Sequence, residues 1–259
     1  MTAPGWLVPQ WPDLPANVSA LATTRLAGVS PPPYDDGHGG GGRNLGLHVG
    51  DDAVLVEQNR MLVQARVPGR PAWLAQVHGI DVVDAAAVGA VAPVADASIA
   101  SRADAVCAVM TADCLPVLFA DMNGTVVGGA HAGWRGLAAG VLGATVQAMR
   151  AAGAGEITAW LGPAIGPTAF EVGEDVRAAF LVAISSAPDE VAAAFASYPG
   201  RAGKYLADMH ALARLMLRDA GVTRVWGGEH CTVTEADLFY SYRRDGVTGR
   251  QASLIWINS

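Results

Sequence analysis

ADAVCAVMTADCLPVLFADMNGTVVGGAHAGWRG, residues 103–136, is the stretch that decides the fold. It holds three short runs rich in β-branched and small apolar residues: Ala103–Met110, Leu115–Ala120 and Thr125–Ala130. Runs of that length and composition predict strands. Moving outward, Ile157–Leu161 and Ser253–Ile257 read the same way. Helical periodicity marks Asp52–Val67, Leu137–Ala152, Glu174–Ser185 and Lys204–Ala220. Gly153 and Gly221 follow the second and fourth of these, where a helix C-cap is expected. Strands and helices mix without a strict βαβ repeat, which favours an α+β or mixed-sheet architecture over a dinucleotide-binding one. No internal repeat and no linker divides the chain, so residues 1–259 are expected to form one domain. PPPYDDGHGGGG, residues 31–42, is the one low-complexity piece and predicts a flexible surface loop.

Composition narrows the function. The 259 residues carry 17 Lys+Arg against 24 Asp+Glu, a net charge of −7, with 51% hydrophobic and 16% charged residues. Such a chain has ample apolar surface for a core, which excludes disorder and any need for a disulfide or metal merely to fold. The longest stretches free of charge are 14 residues, at 136–149 and 157–170. Both contain Gly or Pro and fall short of the roughly 20 apolar residues of a membrane span. The opening MTAPGWLVPQWPDLP lacks a basic region followed by an apolar one, so no export signal is expected. Cys107, Cys114 and Cys231 then read as reduced thiols of a cytoplasmic protein. An isoelectric point near 5.3 with no basic cluster argues against a nucleic-acid partner. A small-molecule partner is expected.

Chemistry concentrates in three places: Gln76-Val77-His78-Gly79, Thr111-Ala112-Asp113-Cys114, and His131-Ala132-Gly133-Trp134-Arg135. Each puts a His or Cys at a strand-to-loop junction beside small residues, which let a ligand approach the backbone. Two imidazoles and one thiolate make a sensible open zinc site. The separations, 36 residues from His78 to Cys114 and 17 from Cys114 to His131, do not by themselves distinguish that from two packed histidines and a buried thiol. His230-Cys231 invites a second metal site, but adjacent residues on a strand point apart. Asp113 is a candidate either to orient a metal-bound histidine or to turn the chain locally.

NLGLHVGDD (44–52), QVHG (76–79), ADAVCAVMTADCLPVLFAD (103–121), HAGWRG (131–136), GPAIGP (162–167), FEVG (170–173) and FYSYRRDGVTGRQASLIWI (239–257) stand in order. Together they resemble the YfiH/YlmD family, related to human laccase domain-containing protein 1, from about Thr23 onward. Members have been called polyphenol oxidases, purine nucleoside phosphorylases and peptidoglycan editing factors. The resemblance implies a four-layer α/β/β/α fold with mixed sheets and a zinc site at His78, Cys114 and His131, with Cys107 outside it.

It also implies phosphorolysis of adenosine, inosine, guanosine or methylthioadenosine to free base and ribose 1-phosphate, with adenosine deamination as a second activity. Phosphate must be held by cations or backbone donors. Arg25, Arg43, Asn44, Ser241 and Arg243 lie in stretches matching the family and are the candidates for substrate or phosphate contact. A multicopper oxidase needs more histidines than the six available here, although copper would compete for a three-ligand site. A cysteine amide hydrolase with Cys114 as nucleophile, and a binding role without catalysis, are the other readings. The Ala-rich helices leave monomer and homodimer both open.

Overall fold

The structure, a computed structural model, describes residues 5–259; the first four residues of the stretch examined for an export signal lie outside it. The quoted stretch forms strands Val106–Thr111, Leu115–Asp121 and Val127–Ala132. The first belongs to a five-stranded sheet ordered Trp6–Leu7, Val18–Thr23, Gln251–Ile257, Val106–Thr111, Pro71–Ala72. The other two are central in a six-stranded sheet ordered Arg224–Gly227, Ile157–Leu161, Leu115–Asp121, Val127–Ala132, Ala97–Ala100, Val82–Asp84. Both sheets are mixed: Pro71–Ala72, Arg224–Gly227 and Val82–Asp84 pair in parallel with their neighbours, and the remaining pairs are antiparallel. Residues 112–114 therefore carry the chain from one sheet to the other.

The period of two explains why these strands read as unbroken apolar runs. Cys107 on the first sheet and Leu118, Ala120, Val127 and Trp160 on the second meet between the sheets with Ala20, Ala22 and Ile255. The alternate residues Val106, Ala108, Met110, Leu254 and Trp256 face outward, where Val63 of helix Ala53–Gln64 covers them. On the far side, Leu115, Val117, Phe119, Ala159 and Leu161 pack beneath Leu137, Val146, Phe180, Val191 and Leu212 of the remaining helices. Both faces of the central strands are thus buried, and helix, sheet, sheet and helices stack in the expected α/β/β/α order. Among the described residues no helix is long and apolar enough to cross a membrane.

Two helical expectations change. Leu137–Ala152 is two helices, Trp134–Ala139 and Val141–Ala151, because Gly140 adopts φ 101 and breaks the run. Lys204–Ala220 opens as strand Lys204–Ala207, paired with Glu171–Gly173 and Phe195–Ser197 in a separate three-stranded sheet. Its helix, Met209–Asp219, starts only after Asp208, whose side chain accepts from the Ala211 N–H as an N-cap. Gly153 and Gly221 do sit past helix ends with φ 99 and 78. The Pro/Gly-rich segment is tied at its ends: Ser30 and Gly42 exchange backbone hydrogen bonds at 2.9 Å, and buried Tyr34 donates its hydroxyl to Val49 O at 2.7 Å.

Candidate metal centre

The crossing between the sheets brings the three chemical stretches together. Cys114 stands at the end of that crossing, one residue before Leu115, which pairs with Ala132 next to His131. His78 comes from the loop before Val82–Asp84. The ligand atoms of His78, Cys114 and His131 all lie within 4.8 Å of one another, and Cys114 Sγ is 3.7 Å from His78 Nε2. The two imidazole rings meet edge to face, with centroids 4.8 Å apart.

One carboxylate builds this arrangement. Asp96 is fully buried, and its oxygens accept from the backbone N–H groups of Val77 (3.1 Å), His78 (2.9 Å) and Gly79 (2.7 Å). Those bonds hold His78 at φ 63, a left-handed conformation uncommon for a residue with a side chain. Asp96 Oδ1 also accepts a hydrogen bond from His131 Nδ1 at 2.7 Å, which leaves Nε2 as the ring nitrogen available to a metal. A carboxylate behind a ligating imidazole fixes its tautomer and raises its basicity, as in metal sites generally.

Electrostatics favour a ligating thiolate. Burial pushes the Cys114 thiol up, but the hydrogen bonds and charges of His131 and His78 outweigh it and bring it down to about 6. His131 moves the other way: burial lowers it, and Asp96 and Cys114 raise it to about 9. Cys107, sealed between the sheets, is pushed up to about 12 by burial. In metal-free protein at pH 7, an alkylating reagent is therefore expected to modify Cys114 and leave Cys107 intact, and added zinc should protect Cys114. Mass spectrometry of the two peptides measures this directly.

The donor set suits zinc or copper. Space for an ion depends on Gly133: a Cβ there would collide with His78 Cδ2 and lie 2.9 Å from its Nε2 and 3.1 Å from Cys114 Sγ. Gly133 has φ −61, so alanine fits the backbone and fails only against the ligands. Gly133→Ala should keep the fold and lower metal affinity by about 10- to 100-fold, the scale of other changes that disturb ligand orientation. A competition titration with a zinc chelator reads that shift.

The three candidate ligands line a cavity of about 560 Å³, whose walls also include His48, Leu74, Gln76, Met110, Tyr242 and Arg250. That is ample for a nucleoside-sized molecule. Gln76 is clamped to the backbone of Met110 by a pair of hydrogen bonds of 2.8 and 2.9 Å. Burial, then Arg250 and Arg60, lower His48 below its ordinary value, which keeps its ring neutral at pH 7.

A sequence model of the multi-copper polyphenol oxidoreductase laccase family matches residues 19–258. The chain belongs to that family. It is 50% identical over 253 residues to the purine nucleoside phosphorylase YfiH of Escherichia coli, covering 97% of this chain and 98% of that protein. A purine nucleoside phosphorylase of Pseudomonas aeruginosa is also 50% identical, with the same coverage. Among solved structures, a Neisseria meningitidis protein superposes with a TM-score of 0.89 at 50% identity, covering 98% of this chain and 100% of that one. YlmD from Geobacillus stearothermophilus superposes at 0.87 with 32% identity, covering 100% and 98%. The family's laccase label sits beside a donor set of one thiolate and two imidazoles, and no second such cluster occurs among the described residues.

The residues expected to contact substrate do not line the cavity. Arg25 is buried, with its guanidinium on the carbonyls of Asp35 and Ala236. Arg43 is also buried, bonded to Gly5 O and Ala27 O and stacked over Trp6 at 4.0 Å; burial lowers it to about 10. Ser241 caps helix Tyr242–Asp245 by accepting from Arg244 N. Arg243 extends to Glu171 O and lies over Phe170. Asn44 comes nearest, accepting from the backbone N–H of Arg250, a residue that does line the cavity. Asp113 turns the chain at φ 93 and clamps the C-terminal segment, accepting from Thr232 Oγ1 and Arg243 N at 2.6 Å each. His230 pairs with Glu235 and joins no metal group among the described residues. Reading residues in isolation missed Asp96, Tyr242 and Arg250. Arg250 lies inside a stretch that resembles the family, so it carried a signal, whereas Asp96 stands among alanines with none.

Proposed function

We propose that this chain is a zinc-dependent purine nucleoside phosphorylase, cytoplasmic, acting on adenosine, inosine, guanosine or methylthioadenosine. The observation that carries the proposal is the His78–Cys114–His131 donor set in the wall of a nucleoside-sized cavity. The names of relatives half identical over nearly the whole chain support it. In the reaction a phosphate oxygen bonds to C1′ of the ribose as the glycosidic C–N bond breaks. The electron pair of that bond leaves with the purine, which takes up a proton.

Zinc held by these three residues would supply a Lewis acid against the charge that develops in this step. The chain supplies the rest. Asp96 fixes His131 and the His78 turn before substrate arrives, so no reorganisation is needed during the reaction. His48, neutral and facing the cavity, offers a ring N–H to the purine. Leu74 and Met110 give the cavity apolar wall against which the purine and ribose can pack. Phosphate is the acceptor, and ribose 1-phosphate the product.

Chromatography of purified protein with adenosine tests this. Adenine should appear only when phosphate is present, in step with ribose 1-phosphate. Inosine in the same trace would report deamination as a second activity of the site. Adenine at the same rate without phosphate would make the enzyme a hydrolase and overturn the proposal. The thiolate character of Cys114 beside His78 favours one competitor, an amide hydrolase acting on peptidoglycan precursors with Cys114 as nucleophile. Zinc occupying Cys114 would inhibit that enzyme and activate the phosphorylase.

A further inference from the structure

The cavity holds one cation whose partners are incomplete. Among the described residues Arg250 is the only arginine or lysine in its wall; it stands at the start of strand Gln251–Ile257 and makes no ion pair, although the charges of Cys114 and Asp113 reach it. Its backbone is fixed on both sides: its N–H donates to Asn44 Oδ1 at 2.9 Å and its carbonyl accepts from Leu45 N at 3.0 Å. Asn44 is itself fully buried and held by Asp51 and Gly46. The side chain lies across Gly46, where a Cβ would sit 2.8 Å from Arg250 Cγ.

Of its guanidinium, Nη1 donates to Thr248 O and Gly249 O at 3.2 and 3.0 Å. Nε and Nη2 donate to no protein group among the described residues, although every other polar atom of the residue is engaged. Neither atom is sealed away from solvent, so both are available to an anion entering the cavity, and a half-buried guanidinium already fixed at its other nitrogen makes a strong, directed donor pair. A guanidinium edge of two N–H groups matches two oxygens of a tetrahedral oxyanion. Other arginines that were candidates for this role are spent on carbonyls or carboxylates, as Arg25 and Arg43 are.

We infer that Arg250, seated over Gly46 and braced by Asn44, is the oxyanion subsite of the cavity and binds inorganic phosphate through Nε and Nη2. As a phosphate subsite in catalysis the inference rests on the phosphorylase reading; as an anion site it stands on the geometry. It also gives Asn44 and Gly46 a positioning role, since neither touches the cavity yet both set where the guanidinium lies.

Titration calorimetry of the zinc-loaded protein with inorganic phosphate, beside phosphate and adenosine kinetics, tests it. Arg250→Gln should weaken phosphate binding and raise the KM for phosphate by roughly 10- to 100-fold, the range of lost hydrogen bonds to a charged group. Zinc content and the KM for adenosine should stay within about twofold. Gly46→Ala should shift phosphate in the same direction with the charge retained, and Arg102→Gln, a surface substitution, should shift nothing. Unchanged phosphate binding and KM in a folded, active Arg250→Gln overturns the subsite and leaves the phosphorylase reading standing. Arg250-dependent phosphate binding without phosphate-dependent turnover keeps the subsite and removes the phosphorylase. Wild-type protein that binds no phosphate overturns the inference.

Discussion

Cys114→Ala is expected to retain its fold, hold no stoichiometric zinc and lose phosphorolysis by about a thousandfold, since Lewis-acid assistance is worth several kcal/mol. The thiolate is the one anionic ligand of the set, and without it two neutral imidazoles face a dication. Cys107→Ala is the matched control. Its sulfur lies fully buried between the sheets, far from any role in the cavity wall. Losing it leaves a small void costing about 1 kcal/mol, with zinc and turnover unchanged. Elemental analysis and the phosphate-dependent assay on both proteins check the pair. Equal loss in both, with both folded, would remove Cys114 from the centre.

Asp96→Asn should be the most damaging substitution outside the ligands. The carboxylate accepts four bonds, three from consecutive backbone N–H groups and one from His131. An amide offers one acceptor oxygen, and its NH₂ would confront donors on the other side. Leaving charged and backbone groups unmatched in a fully buried site costs about 3–5 kcal/mol. Metal affinity should fall by about 10- to 100-fold as well, because both histidines lose their orientation. Burial raises the Asp96 carboxyl, but the His131 and backbone hydrogen bonds outweigh it and hold it below its ordinary 3.8. Its stabilisation is therefore complete above that value and lost as the pH falls further, and the Asn variant should lack this acid-limb dependence. Thermal melts of metal-free wild type and variant across pH 3 to 6 reveal it.

The strands were legible because burial on two faces leaves an apolar run of strand length, as at Val106–Thr111 and Leu115–Asp121. The two histidines and Cys114 were legible as reactive residues at strand ends. What joined them was not. Asp96 lies 35 residues from His131 and 18 from His78, and its role arises only when the Ala97–Ala100 strand pairs beside Val127–Ala132. Lys204–Ala207 carries helical periodicity, yet the edges of Glu171–Gly173 and Phe195–Ser197 capture it as a strand. The arginines split for the same reason. Arg25 and Arg43 sit in motif-like stretches but spend their donors on the fold, while Arg250 keeps two for the cavity. Sequence marks where cations are; only packing says which are free.

The most direct measurement is reconstitution. Protein stripped of metal should show no phosphate-dependent release of adenine from adenosine. One equivalent of zinc per chain should restore it fully, with further zinc adding nothing and Cys114→Ala failing to respond. Stripped protein that turns adenosine over at the full rate would contradict a metal centre at His78, Cys114 and His131 as the seat of the reaction.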